Sequence, residues 1–360
     1  MISKELSSKV IMSGDYYENS HPGGISAVVR YWSGNFDGLQ YYPMYKIGGK
    51  LTKGWWFATA YLRMTFKMLT DRNVRIMHLH TAADGSFWRH SSLARLGNAF
   101  GKKVILHIHA SRFKDFYNEA SPKDKSRILE TLHIADRIIV LSKSWKEWFI
   151  SIGINQEKLT ILYNITPEPT HIPSAKTKDG KVHFLFLGEI GRRKGVFDII
   201  RALAEHKKEA EGKLELRIGG NRNEDKLLAA IKSAGLEGTV KFEGWVSGEK
   251  KLNLLSWSDV YILPSFNEGL PISILESMSY GRPIISSEVG GIPEVVTENG
   301  ILVTPGNADE IWSAMKRYVD QPELIEKEGK LSLENVRPYL PDSVMSHLQD
   351  IYLNMLEVKR

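Results

Sequence analysis

The chain has 360 residues, 42% of them hydrophobic and 25% charged, with a net charge of +6 and no cysteine. That length exceeds what one hydrophobic core ordinarily serves, so two domains are expected. Without cysteine there can be no disulfide, no thiolate nucleophile and no cysteine-held zinc or iron–sulfur centre, and no run of roughly 18 apolar residues marks a membrane span. The opening MISKELSSKV lacks the apolar stretch of a secretion signal, so a cytoplasmic protein is expected. Charge is unevenly spread: residues 1–170 hold 23 Lys and Arg against 14 Asp and Glu, a net +9, whereas residues 171–360 hold 25 against 28, a net −3. A basic first half suits an anionic partner such as nucleic acid, an anionic membrane surface or a phosphorylated acceptor, or simply a solvated face that keeps the chain soluble.

In chain order, Lys9 to Ser13 reads as a first strand and Gly14 to Pro22 as a polar loop that ends in Gly23 and Gly24. A helix over Ile25 to Trp32 follows. Paired glycines at a strand-to-helix turn let a ligand approach the backbone, and a helix start favours phosphate; a plain tight turn needs the same residues. Lys50 to Lys67, KLTKGWWFATAYLRMTFK, predicts a helix that mixes Trp55, Trp56, Phe57, Tyr61 and Phe66 with Lys50, Lys53, Arg63 and Lys67. Two readings of it stand: aromatics on one side with flanking cations, lying on an anionic bilayer, or aromatics packed into the first domain. Val74 to His80 and Lys103 to His109 are strand-like, and each ends in His-x-His. Residues two apart share a strand face, so either pair could chelate a metal, but no carboxylate stands at a convincing spacing and no metal is expected. Asp136 to Leu141 and Leu159 to Asn164 are further strands, with a helix over Lys143 to Ile150 between them. The repeated alternation predicts α/β architecture with doubly wound parallel sheets.

Thr166 to Lys181, rich in proline and polar residues, reads as a linker. The expected organisation is a first Rossmann-like domain over 1–166, the linker 167–181, a second over 182–342 and a closing helical segment over 343–360. The second half restarts with the strand Val182 to Leu187, then Gly188, Glu189, Ile190, Gly191, Arg192, Arg193, Lys194 and Gly195, and the helix Val196 to Glu205. A strand that ends in a glycine-rich basic turn opening a helix has the makings of a phosphate site: arginine clamps a diphosphate in bidentate fashion and lysine supplies a point charge. Strands follow at Leu214 to Gly219 and Val240 to Glu243. The stretch VYILPSFNEGLPISILESMSYGRPIISSEVGGIPEVV, residues 260–296, then predicts strand, loop, helix, strand, glycine turn and a second helix. Glu268 falls in its loop and Glu276 in its helix, where both can face one crevice; paired carboxylate oxygens suit the adjacent hydroxyls of a sugar. Gly269 and Leu270 offer backbone amides at the helix mouth, and Pro271 opens the helix at no cost, since the amide N–H it lacks would be unsatisfied there anyway.

In its carboxylates, EGLP loop, G-x-P break and GGIPE turn, taken in order, this stretch resembles the donor-binding segment of the family 4 glycosyltransferases, retaining enzymes of the two-domain GT-B architecture. The resemblance runs from the Gly23-Gly24 turn to the C-terminal helices and implies two Rossmann-like domains facing a central cleft. It implies that Glu276 holds the nucleotide ribose, that Glu268 with Gly269, Leu270 and Pro271 holds the donor sugar, and that Gly188, Arg192 and Arg193 lie at the donor phosphates beside Lys194. Lys194 matches the lysine of the family's G-R-x-x-x-x-K-G motif, but Glu189 stands where its arginine usually does, leaving Arg192 or Arg193 to replace it, with Arg193 favoured. VILHIHAS is similar to the segment whose histidine points at the reaction centre, which makes His109 a catalytic candidate; His80 and Gly23 would lie on the acceptor side, and Gly24 beside the donor phosphates. The last helix would cross back to the first domain.

What the resemblance implies as activity is transfer of a sugar from a nucleotide diphosphate to a hydroxyl of a glycan or a lipid-linked diphosphate acceptor, with configuration kept and no metal or cofactor, in keeping with the lack of a D-x-D triplet. Two alternatives stand beside it: a hydrolase or epimerase acting on nucleotide sugars, and a basic module binding nucleic acid or a protein partner. Against the last, the sequence holds no G-x4-G-K string, helix-turn-helix or zinc pattern.

Overall fold

The runs VHFLFL and VYIL carry no polar alternation because both of their faces are covered: every residue of Val182–Leu187 and of Val260–Leu263 is buried. Strands of this kind belong in parallel sheets sandwiched by helices, and the computed structural model, which describes residues 1–18, 24–109, 111–169, 172 and 179–357, has two such sheets. The chain divides into two compact units, Met1–Ile165 with Tyr339–Arg360, and Thr166–Pro338.

The first unit holds β1 (Val10–Asp15), β2 (Tyr41–Tyr45), β3 (Ile76–Thr81), β4 (Lys103–Ile108), β5 (Arg137–Val140) and β6 (Leu159–Ile161), in the spatial order β2-β1-β3-β4-β5-β6. The second holds β7 (Val182–Leu187), β8 (Leu214–Gly219), β9 (Val240–Gly244), β10 (Val260–Leu263), β11 (Ile284–Ser287) and β12 (Gly300–Val303), in the order β12-β11-β10-β7-β8-β9. Neighbouring strands run parallel throughout both sheets. In the second unit the chain winds outward from β7 to β9, then returns to the other flank of β7 at β10. The carboxyl ends of β7 and β10 therefore flank a topological switch point, where the loops after adjacent strands splay apart and leave room for a ligand. The helix Pro341–Glu357 belongs to the first unit, where the Tyr352 hydroxyl lies 2.7 Å from His78 Nδ1.

Some elements differ from the sequence reading. The strand β2 carries Pro43 and reads poorly as a strand, but it lies at the edge of its sheet, where a missing N–H is tolerated. No second helix follows the glycine turn of residues 260–296; a single 3-10 turn, Ile292–Glu294, stands there with Pro293 inside it. Of the expected linker, residues 170–171 and 173–178 lie outside the described residues. The helix Lys50–Thr70 divides its apolar residues between two faces instead of gathering them on one. Ala60, Met64 and Met68 are buried, with Phe57 and Tyr61 packed against the same core, whereas Leu51, Trp55, Leu62, Phe66 and Leu69 are exposed by 63–91%.

The two faces should respond oppositely to truncation. Met64→Ala, which opens a void in the core, is expected to cost about 2–5 kcal/mol of stability, and Leu62→Ala less than about 0.5 kcal/mol. Urea unfolding of both variants checks the assignment, and equal losses would refute it.

Candidate functional site

The second unit brings the sequence-predicted residues to the switch point. The turn after β7 supplies Lys194 and the loop after β10 supplies Glu268; Lys194 Nζ stands 2.5 Å from Glu268 Oε1. The same oxygen accepts a hydrogen bond from Ser265 Oγ at 2.8 Å. The Glu268 side chain is 7% exposed and that of Lys194 15%. Arg193 Nη1 lies 3.8 Å from Glu268 Oε1, and its Nη2 lies 3.7 Å from Glu189 Oε2. Arg192 instead leans over the Phe266 ring, 5.9 Å from its centroid. Of the two candidates for the motif's displaced arginine, Arg193 is the one beside Lys194 and Glu268. Glu189 also faces Arg222 at 3.5 Å, so the carboxylate at the arginine's usual place holds two guanidiniums close to the turn.

Backbone contacts fix the two loops to each other. Phe266 N donates to Arg193 O at 2.8 Å. Gly195, with φ +71°, lies so close to Pro264 that a Cβ would stand 2.0 Å from its carbonyl oxygen. Gly290, with φ +59°, does the same against Glu268: a Cβ there would meet the Glu268 carbonyl oxygen at 2.0 Å. Gly291 N donates to Gly269 O at 2.7 Å. The glycine pair of the GGIPE segment therefore braces the loop that carries Glu268, and at Gly290 this role needs both the left-handed backbone and the missing side chain.

Pro271 is the N-cap residue of the helix Ile272–Ser279, which carries Glu276. Glu276 is 4% exposed and ion-paired with Lys251 of the helix Gly248–Trp257. Lys251 was not singled out from sequence, because it lies 25 residues upstream on an element with no motif of its own. Leu270 is 4% exposed, and Gly188 ends the turn's hydrogen bond to β8, its N donating to Gly219 O at 2.9 Å.

In the first unit, Gly23 lies outside the described residues, and Gly24 begins the helix Gly24–Ser33. The histidines meet on one sheet face, since His80 of β3 is in register with His107 of β4. His80, expected on the acceptor side, is 0% exposed; its Nδ1 lies 3.0 Å from Nε2 of the partly exposed His109. His78 Nε2 lies 3.2 Å from His107 Nδ1. Trp32, fully buried, meets His78 and His80 edge-on at 5.5 and 5.0 Å. His78, His80 and His107 each bring a ring nitrogen within 4.8 Å of the others, the spacing of a metal cage. The His78 and His80 rings are stacked, however, 4.5 Å apart at 9°, so their in-plane lone pairs run side by side and do not converge on one ion. The cluster is a hydrogen-bonded stack of neutral imidazoles. Burial, then the nearby His109, pushes His78 down to about 3; burial, then His90, does the same to His109. At the carboxyl end of β1, burial raises Asp15 to about 6 despite Arg89, a titratable group that no motif had marked.

Comparison with known proteins identifies the fold and the family. The fold is that of the GT-B glycosyltransferases: sucrose-phosphate synthase from Thermosynechococcus elongatus superposes with a TM-score of 0.77 at 17% identity over 99% of both chains. The Anabaena protein HepE, solved with UDP and glucose, superposes with a TM-score of 0.72 at 16% identity over 97% of this chain and 100% of its own. Residues 28–166 match the family model described as glycosyltransferase family 4, and residues 168–332 the one described as glycosyl transferases group 1. The chain belongs to this glycosyltransferase family. An uncharacterized glycosyltransferase of Methanocaldococcus jannaschii is 27% identical over 68% of this chain and 65% of its own. The amylovoran biosynthesis glycosyltransferase of Erwinia amylovora is 27% identical over 60% of this chain and 55% of its own. A lipopolysaccharide 1,6-galactosyltransferase of Salmonella typhimurium is 29% identical over 54% of this chain and 56% of its own. The chain thus matches between 55% and 65% of the length of these curated relatives.

The histidine stack makes acid sensitivity a property of the first unit. A histidine whose folded pKa lies below its unfolded value binds fewer protons when folded, so stability is complete above the unfolded pKa and falls as pH drops toward the folded one. For His78, between an ordinary ~6.5 and about 3, the loss at pH 5 is about 2 kcal/mol. Thermal melts read by tryptophan fluorescence should show the unfolding temperature falling between about pH 6.5 and pH 4; a flat profile would contradict burial of these rings. Gly290→Ala, in turn, should leave both sheets intact by circular dichroism yet cost at least about 1–3 kcal/mol through the strained backbone it forces, measured by the same melts.

Proposed function

We propose that the protein is a retaining, metal-independent glycosyltransferase that moves a sugar from a nucleotide diphosphate donor to a hydroxyl of a glycan or lipid-linked diphosphate acceptor in cell-surface polysaccharide assembly. The observation that carries this reading is the Lys194–Glu268 pair, with Arg193 beside it, at the switch point between β7 and β10. Glu276 binds the ribose hydroxyls, and Glu268 with the Gly269 and Leu270 backbone orients the sugar. Lys194 and Arg193 face the diphosphate. As the bond from the anomeric carbon to the diphosphate oxygen breaks, negative charge grows on the phosphate, so fixed cations there stabilise the transition state more than the ground state. The acceptor oxygen bonds to the anomeric carbon on the face the phosphate leaves, and its proton passes to a phosphate oxygen; no protein nucleophile is required. His109, neutral at working pH, is the first unit's candidate for hydrogen bonding a sugar hydroxyl. The relatives named for amylovoran biosynthesis and for a lipopolysaccharide galactosyltransferase support the polysaccharide assignment, and HepE, solved with UDP and glucose, supports the donor class.

UDP-, GDP- and ADP-sugars should be screened for thermal stabilisation, because a donor present at 100 times its dissociation constant adds roughly 2.7 kcal/mol. With the donor so identified, Glu276→Ala is expected to lose donor stabilisation and turnover, and Lys194→Ala to lose turnover, both with circular dichroism unchanged. Full activity in either variant would remove the site assignment. Release of free sugar at the same rate with and without acceptor glycans would favour a hydrolase or epimerase over a transferase.

A further inference from the structure

The exposed face of the helix Lys50–Thr70 is not accounted for by packing or by the site described above. Leu51, Trp55, Ala58, Leu62, Phe66 and Leu69 follow one another at intervals of three or four, a single unbroken apolar stripe along the outer side. Trp55, Leu62, Phe66 and Leu69 are 70, 67, 68 and 63% exposed, and Leu51 is 91% exposed. At about 1.5 Å per residue the stripe runs some 27 Å, longer than the scattered single apolar residues that ordinary protein surfaces carry.

Charge identifies what covers it. Between Asp37 and Asp71 the chain holds no acidic residue but five basic ones, Lys46, Lys50, Lys53, Arg63 and Lys67. With about 100° of rotation per residue, Lys50 and Arg63 fall to opposite sides of the stripe. Lys46, Lys53 and Arg63 stand over the rings of Tyr16, Tyr45 and Tyr42, which adds positive charge around the helix without placing Lys53 on the stripe itself. A second copy of the chain would bring two such acid-free cationic faces together, and the like charges would repel. Nor is the helix built to cross a bilayer: among the described residues no helix is long and apolar enough to do so. An apolar stripe bordered by Lys50 and Arg63, with the one acid at the helix end, Asp71, already paired with Lys67 at 2.8 Å, matches an anionic bilayer met in the plane of its headgroups.

We propose that the helix Lys50–Thr70 is an in-plane docking surface for anionic lipid, with Trp55, Leu62, Phe66 and Leu69 entering the headgroup boundary and the flanking cations pairing with lipid phosphates. The proposal is independent of the donor reading, because its test measures no turnover.

The full chain should be floated with phosphatidylcholine vesicles and with vesicles of phosphatidylcholine and phosphatidylglycerol in equal parts, at low and at high salt. The expected result is binding to the mixed vesicles only, falling as salt rises. Because their side chains are exposed, the double change Trp55→Ser with Phe66→Ser should leave the melting curve unchanged and weaken vesicle binding by more than roughly tenfold. Lys50→Gln should weaken it roughly fivefold. No binding at low salt, or equal binding by the double variant, overturns the proposal. So does equal binding to both kinds of vesicle. A concentration-dependent dimer that the double variant abolishes would assign the face to a second copy and likewise overturn it; a fall in melting temperature in that variant would show the stripe to be packed, with the same consequence.

Discussion

Lys194 and Glu268, 74 residues apart in sequence, meet with both side chains largely withdrawn from water. Removing a charge from water costs several kcal/mol even after the protein relaxes, and a buried pair seldom does more than recover that cost. Its worth lies in position. The pair fixes a cation and a carboxylate at the gap the sheet leaves at its switch point, and most of the surrounding structure serves to keep them there. Ser265 occupies part of the carboxylate's hydrogen-bonding capacity, Arg193 bridges toward Glu189, and the Phe266 amide ties one loop to the other. In the proposed reaction, an incoming diphosphate would meet electrostatics that are already arranged, so little reorganisation would be needed as charge develops.

Glycine is the second half of that arrangement. Gly195, Gly220 and Gly290 each lie where a Cβ would stand within about 2 Å of a carbonyl oxygen of a neighbouring segment, at Pro264, Gly188 and Glu268 respectively. Loops packed backbone to backbone have little freedom to relax, and this is how short loops hold side chains to the tolerances that group transfer demands. The ion pair and the glycine contacts are thus one device: the contacts set the distance, and the charges use it.

Much of this was legible in the sequence. The strands β7 and β10 could be read to the residue, because burial on both faces leaves nearly continuous apolar runs, and β8 from its alternating Leu214, Leu216 and Ile218. The residues Lys194, Glu268 and Glu276 were legible as chemistry since turn, loop and helix mouth are local features. What escaped reading depends on contacts distant in sequence. Arg192 and Arg193 are equivalent on paper; only the 3-10 turn Arg192–Lys194 sends one toward Glu268 and the other over Phe266. Lys251 reaches Glu276 from another helix, and the burial of His80 depends on its register with His107 of β4 and on Trp32 packed against it. The helix Lys50–Thr70 was ambiguous for a related reason: aromatic residues on opposite sides satisfy two incompatible periodicities at once, and only packing shows which side the core takes.

The first unit is assembled from both ends of the covalent order, with Tyr352 closing over His78 only after every residue of the second unit has been made. On the ribosome, the later unit therefore completes its sheet while the earlier one still lacks its final helix, leaving part of its apolar interior open to chaperones or to solvent. The unit synthesised first is thus the one whose core is completed last.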